Sequence, residues 1–550
     1  MNEPARHRKA ARKSYIVNRK TACAENKRIY DFVVIMKLKR QSLVSQGSLS
    51  RMVQTATEAW KRCDFQQSIE IMERVSRLDP ANASVWLDLG GLYGKRYDYR
   101  AAARCFEQAV RIAPKKSEVL AIAGQKSRDF RKEDMAEDYL RRAAEQKDTS
   151  PEILVKLAEI YERTRRTEEA GQLVDRALHT NAACAPALLL RARLDRQAGR
   201  LDTAEKLLHA FPASADPSLR LAAAYQLGDV LDRQGRYDEA MTAFLEAKFL
   251  LKPLTERPAA ELKVMRTRIN HMITNTAADQ LRQWYGSTGQ LQPNYRLALL
   301  GGHPRSGTTL LEQVLDAHPD IVSAEETEIF YNDAYGPLLR DQPDDTAMHA
   351  ALVAATIARL EQARRDYFRA MELSLGQSIA GRLLIDKNPS YTFLVPALIR
   401  IFPEIQLLIA LRDPRDVVLS CFMQNIPLNQ VGAAYLSLAS ASEEYLALMG
   451  VWQTVKTRLP NPYLEVRYED MVDDLESVAH KTLDFLGVSW DARVLGFDEH
   501  ARKKLVRSPT YADVTQPVYK RAVGRWRNYQ KYLEPQLEKL EPFVKAFGYE

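Results

Sequence analysis

Across the first half of the chain, small and large apolar positions recur every 34 residues, a spacing that fits a helix, a tight turn and a second helix. Pro80 and Pro114 mark one period, and between them Trp86, Leu89, Gly90 and Tyr93 are followed by Ala102, Phe106 and Ala109. Weaker copies keep the small positions: Gly124, Ala136 and Ala143; Tyr161, Ala170 and Ala177; then Leu227, Gly228, Ala240, Phe244 and Ala247, closing at Pro253. About six copies fit residues 51–255, and the stretch near 188–215 is the most degenerate. Small residues let paired helices approach and large ones fill the gap, so Trp86, Tyr93 and Phe106 are expected in the packing rather than at a ligand. Past a helical connector at 256–293 the pattern changes. Short apolar runs alternate with helical stretches, and Tyr295–Leu300, Arg382–Asp386, Ile405–Leu411 and Tyr463–Arg467 are predicted strands. That order predicts an open parallel sheet with helices on both faces over 294–550, where ligands bind at the carboxyl ends of strands.

The W-x-x-L-G-x-x-Y pattern resembles the tetratricopeptide repeat. The resemblance implies an all-α solenoid whose concave surface receives a protein or peptide, and its fusion to the second half makes that partner a candidate substrate. Charge sharpens the division. The 550 residues carry 79 Lys plus Arg against 71 Asp plus Glu, a net charge of +8. Residues 1–50 hold 12 basic and 3 acidic side chains (+9), 51–290 hold 39 and 34 (+5), and 291–550 hold 28 and 34 (−6). The excess belongs mainly to a basic N-terminal tail. The net-acidic second half must therefore hold any anionic ligand through a few placed groups, and nucleic acid is not an expected partner. Five scattered cysteines without a C-x-x-C pair suggest neither a disulfide framework nor a cysteine zinc site. No apolar run approaches the roughly 20 residues of a membrane helix, and no signal-peptide pattern opens the chain. No integral membrane segment is expected, and the reading is of a soluble, cytoplasmic protein; a homodimer stays open.

The first predicted strand runs into Gly301-Gly302-His303-Pro304-Arg305-Ser306-Gly307-Thr308-Thr309-Leu310-Leu311-Glu312. Glycines so spaced before a helix make a loop whose backbone N–H groups, with the helix N-terminus, cradle an anion. It is similar to the nucleotide-binding G-x-x-x-x-G-K-[ST], except that Thr308 stands where that motif has lysine. Basicity comes from Arg305 inside the loop, a planar donor suited to a tetrahedral anion.

The string P-R-S-G-T-T-L resembles the 5′-phosphosulfate-binding motif of sulfotransferases, which use 3′-phosphoadenosine 5′-phosphosulfate (PAPS). The resemblance implies a P-loop-like α/β domain, PAPS as co-substrate and no metal. Arg305, Ser306, Gly307, Thr308 and Thr309 would bind the phosphosulfate. A second anion site for the 3′-phosphate is implied at another strand-to-helix junction, where Arg412 and Ser420 match in Leu411-Arg412-Asp413-Pro414-Arg415-Asp416-Val417-Val418-Leu419-Ser420.

Within that family the stretch from Arg305 to Thr327 looks most like tyrosylprotein sulfotransferases, through Leu315-Asp316-Ala317-His318-Pro319 and Glu325-Glu326-Thr327. The likeness implies that Glu326 is the general base. A tyrosine hydroxyl has an unperturbed pKa near 10 and needs a positioned carboxylate at neutral pH. Lys387, in Asp386-Lys387-Asn388-Pro389, inherits stabilisation of the sulfuryl group and leaving oxygen, joined by Ser508 of Arg507-Ser508. Tyr468 would line the nucleotide site, and Arg525, in Gly524-Arg525-Trp526, would be a basic nucleotide contact, with Lys520 and Arg521 as alternatives. His318 is a second candidate base, although its place at a helix end favours a structural role. Glu328 departs from the branch, which carries arginine there to favour acidic peptides, so an acidic acceptor is not implied. Soluble chains that join such repeats to a sulfotransferase resemble a bacterial arrangement. The rivals are a P-loop-like phosphotransferase or kinase and a non-catalytic repeat scaffold.

Overall fold

A computed structural model describes residues 43–340, 342–503, 514–515 and 518–549. The basic tail and Ser508 lie outside these described residues. The chain divides into two compact units, one up to Gln234 and one from Gly235, a division that falls inside the last sequence repeat.

The first unit is a run of helix pairs: Leu43–Lys61 with Phe65–Leu78, Ala83–Lys95 with Tyr99–Ile112, Lys116–Asp129 with Glu133–Ala144, Pro151–Arg163 with Thr167–Thr180, and Ala185–Gln197 with Leu201–His209, followed by Pro217–Arg233. The period is visible in the backbone itself. Cys63, Tyr97, Arg131, Arg165 and Gly199 stand at 34-residue steps, one in each turn between paired helices, and all have positive φ (58°, 68°, 68°, 65° and 77°). Asp64 and Asp98 then cap the following helices by accepting from the amides of Gln67 and Ala101. Phe106 is fully buried, while Trp86 and Tyr93 pack partly buried against the same cores. The Phe106 ring lies where a Cβ on Gly90 would come within 2.5 Å, so the small residue of the repeat makes room for the large one.

The second unit opens with helix Tyr237–Leu251, and the connector forms Glu256–Asn275 and Ala278–Tyr285. Five strands follow: β1 (Leu297–Gly302), β2 (Ile321–Glu325), β3 (Leu383–Lys387), β4 (Gln406–Leu411) and β5 (Tyr463–Arg467). All pair in parallel, in the order β2-β3-β1-β4-β5. β1 and β3 are buried along their whole length, which explains their unbroken apolar runs. Chain order reverses about β1, since β2 and β3 lie on one side and β4 and β5 on the other. A switch point of this kind opens a crevice at the carboxyl ends. Helix α1 (Thr308–Asp316) follows β1, and helix α2 (Pro414–Met423) follows β4.

Two differences from the sequence reading matter. β2 was not among the four predicted strands. It has five residues squeezed between a His-Pro-Asp turn and Glu326-Thr327, without alternation, and it pairs only with β3 at the sheet edge. β1 also starts two residues later than predicted and continues through Gly301 and Gly302, where pairing with β4 draws the glycines into the sheet.

Beneath the end of β1 lies His303, wholly buried between Tyr435 and Tyr445, with ring centroids 6.2 and 5.0 Å away. Burial pushes its pKa down to about 4, so the ring is neutral in the folded protein. The unfolded chain takes up this proton near pH 6.5, and the folded ring refuses it until about pH 4. Stability from this site is therefore present above pH 6.5 and lost as pH falls through that window, by roughly 3 kcal/mol. The urea midpoint should accordingly fall less between pH 7 and pH 4.5 in His303→Gln than in the wild type; equal losses would contradict this. A second prediction concerns the repeat turns. A Cβ on Gly199 would meet nothing within 4 Å, so Gly199→Ala, which adds only that atom, tests backbone strain without a steric clash. Chemical denaturation should show a loss of about 1–2 kcal/mol, and no loss would contradict the strain argument.

Candidate active site

The parallel register brings the ends of all five strands to one edge. Gly302 pairs with Ala410, Leu300 and Glu325 each pair with Lys387, and Leu411 pairs with Arg467. Beyond β1 the chain turns sharply. Gly302 has φ 122°, and a Cβ there would sit 2.3 Å from the Ala410 carbonyl oxygen, so only glycine fits. The Gly302 amide donates to Thr392 Oγ1 at 2.7 Å. Arg305 (φ 74°) and Gly307 (φ 88°) carry the loop through left-handed conformations into α1, which begins at Thr308. A Cβ on Gly307 would lie 2.6 Å from the Tyr468 ring. Ser306, Thr308 and Thr309 are buried along this turn. The first amides of α1 have no acceptor within the helix, and such donors favour an anion.

On one side the loop is tied to α2. Arg305 Nε donates to Ser420 Oγ at 3.1 Å, and the Arg412 guanidinium donates to the Arg305 carbonyl at 3.2 Å and to the Ala522 carbonyl. Arg412 also stacks over the Tyr468 ring, 5.0 Å from its centroid. Its Nε is buried without a hydrogen-bond partner among the described residues, a donor that a phosphate oxygen would satisfy. The segment around Arg525 is fixed by Asp416, whose carboxylate accepts from the amides of Gly524 at 2.7 Å and Trp526 at 2.8 Å. Burial raises the Asp416 pKa, against the opposing pull of Arg412 and the two amides. Arg525 is half-buried at this anchored turn. By contrast, Lys520 is exposed and paired with Asp473, and exposed Arg521 lies over the Tyr519 ring. Trp526 is buried beneath the Arg415 guanidinium.

On the other side stand Glu326 and Lys387. Glu326 has φ 47°, unusual for a residue with a side chain. Its conformation is fixed from several directions. The Glu326 amide donates to the Lys387 carbonyl at 2.7 Å, and the next carbonyl, of Thr327, accepts from Asn388 Nδ2 at 3.0 Å and Tyr391 Oη at 2.7 Å. Strain held by its surroundings in this way is characteristic of functional positions. Lys387 Nζ donates to Glu326 Oε1 at 2.8 Å, with Glu325 at 3.6 Å and Glu312 at 3.7 Å. Burial alone would lower the lysine pKa, but the three carboxylates together outweigh it and hold the amine charged. The Glu326 carboxylate is about half exposed (49%), whereas Lys387 and Glu312 are inaccessible. The Glu326 carboxylate is therefore held by the lysine on one side while remaining open to solvent.

His318 is spoken for: its Nε2 lies 2.8 Å from the Ser489 carbonyl and its Nδ1 accepts from the Asp320 amide. Sequence reasoning missed Glu312, Asn388, Tyr391, Thr392 and Asp416. Glu312 and Asp416 each sit one helical turn from an assigned residue, Thr308 and Arg412, and that spacing was the only available signal. Their partners lie on other elements. Among the described residues no three His, Cys, Asp or Glu side chains gather to hold a metal, and no helix is long and apolar enough to cross a membrane.

Comparison with known proteins adds an independent view. Residues 298–492 match the family described as the sulfotransferase family, and residues 53–117 and 189–253 match the tetratricopeptide repeat. An uncharacterized protein of Aquifex aeolicus is 24% identical over 74% of this chain and 53% of its own length. Protein-tyrosine sulfotransferase 1 of Danio rerio is 26% identical over 42% of this chain and 65% of its own length. The chain thus spans between about half and two thirds of these curated relatives. A solved sulfotransferase domain from the Synechococcus PCC 7002 olefin synthase aligns at 23% identity over 47% of this chain and 96% of that domain, with a TM-score of 0.36. Two tetratricopeptide-repeat matches thus precede one sulfotransferase-family match, in the order of the helical array and the parallel sheet.

Proposed function

We propose that the second unit transfers a sulfuryl group from PAPS to an acceptor hydroxyl, with protein tyrosine as the acceptor class that the named relatives favour. One observation carries this reading: the glycine loop after β1 is hydrogen-bonded to both Arg412 and Ser420 after β4, while a glutamate–lysine pair stands at the adjoining ends of β2 and β3. Two anion sites linked in this way suit a donor with phosphate at both ends. A carboxylate beside them suits removal of a proton from the acceptor.

In this account the amides from Arg305 to Thr309 and the Arg305 side chain hold the phosphosulfate. Arg412, Ser420 and Arg525 hold the 3′-phosphate, and Tyr468 packs along the nucleotide. Glu326 takes the acceptor proton as the new oxygen–sulfur bond forms. The bond from sulfur to the bridging oxygen breaks, leaving 3′-phosphoadenosine 5′-phosphate, and Lys387 with Ser508 offsets the charge on that oxygen. Such a loose transfer depends chiefly on positioning and electrostatics. Thr308 in place of a phosphate-binding lysine favours this reading over a phosphotransferase. The repeats would bring a protein or peptide acceptor to the site. Glu328 beside the base leaves the acceptor's own charge unassigned.

PAPS should raise the melting temperature of the purified full chain, and Arg412→Ala should reduce that rise without abolishing folding. A shift with Mg-ATP and none with PAPS would overturn the proposal.

A further inference from the structure

Lys387 has two counter-ions that the reaction does not use, Glu325 at the end of β2 and Glu312 on α1. Glu312 lies one turn into α1, four residues after Thr308, and is wholly buried against the sheet. Ser323 on β2 donates its hydroxyl to Glu312 Oε1 at 2.9 Å, which turns the other oxygen, Oε2, towards Lys387 Nζ at 3.7 Å. A buried carboxylate is costly unless paired, so its place beside the buried ammonium calls for explanation.

The distances suggest one. Of the three carboxylates around Lys387, only Glu326, at 2.8 Å, is within hydrogen-bond reach. Glu326 is also the half-exposed one, and it loses its charge when it accepts a proton. At that moment a lysine paired with Glu326 alone would be a buried cation without a partner, and burial would favour the neutral amine. Like Glu325 at the end of β2, Glu312, behind it on α1, takes no part in that proton transfer. Its longer separation leaves the lysine's N–H groups available to a leaving oxygen while the field still favours the ammonium form.

We infer that Glu312 is a positioning residue that keeps Lys387 charged and aimed at the leaving oxygen once Glu326 has taken the acceptor proton. This rests on the reading of Lys387 as the group that meets that oxygen. Ser323 acts one step further back by fixing the Glu312 rotamer.

Two measurements separate this from a purely structural role. In the full-length chain, Glu312→Gln should lower kcat while PAPS affinity stays within about twofold, and it should bring the alkaline limb of kcat down by about 1–3 pH units. An unchanged alkaline limb would overturn the inference. The second measurement needs no PAPS and is a stability cycle. Glu312→Gln should lower the melting temperature of the wild type but raise that of Lys387→Met, where the carboxylate has lost its cation. An equal loss in both backgrounds would overturn the inference. A wild-type chain that neither binds nor consumes PAPS would instead sink the function on which it rests, and the stability cycle would still report on the pair.

Discussion

A lysine ammonium wholly buried at the end of a central strand cannot be left unpaired, and the second unit of this protein is organised around that constraint. Lys387 ends β3, and the groups that satisfy it come from three elements: Glu325 and Glu326 from the end of β2, and Glu312 from α1. Meeting that demand fixes where β2 pairs, which way α1 lies and how Glu326 turns. The left-handed backbone of Glu326 is the visible cost, and Asn388 and Tyr391 help to hold it through the Thr327 carbonyl. Because these two stand one and four residues after Lys387, Glu326 and the lysine are positioned by the same short stretch of chain.

Across β1 the same economy recurs with the signs reversed. Asp416 is a buried carboxylate satisfied by two backbone amides, and that binding anchors the turn carrying Arg525. Arg412 then bridges this turn to the glycine loop through two carbonyls. Backbone from a neighbouring element thus helps to hold a charged residue on either side of β1: the Lys387 carbonyl takes the Glu326 amide, and the Arg305 and Ala522 carbonyls take the Arg412 guanidinium. On the proposed reading, a net-acidic domain would hold its anionic donor through oriented amides and three arginines rather than through bulk charge.

Much of this was legible in the sequence. The 34-residue period survives in the structure as five left-handed turn residues at the same spacing, four of them not glycine, so packing rather than local preference sets those turns. The glycine loop was readable because its turn chemistry is local, whereas Arg412 and Ser420 stood out only through the sulfotransferase resemblance, which expects them at a strand end and in the helix after it. What was missed depends on partners far along the chain. β2 is too short to show a pattern and gains its stability from β3. Glu312 reads as an ordinary helical glutamate until Lys387, 75 positions later, is folded onto it. Asp416 likewise has its meaning only once Gly524 and Trp526 return to α2.

The central claim is that this edge of the sheet moves sulfur, with Glu326 taking the proton. The most direct measurement supplies PAPS labelled in its transferable sulfur to the full-length chain and a tyrosine-containing peptide, and follows the label. The account predicts label on the tyrosine oxygen, formed together with 3′-phosphoadenosine 5′-phosphate, and a rate lower by about 10²-fold or more with Glu326→Gln. Transfer by Glu326→Gln at the wild-type rate, or release of label to water alone with every hydroxyl acceptor tried, would contradict it.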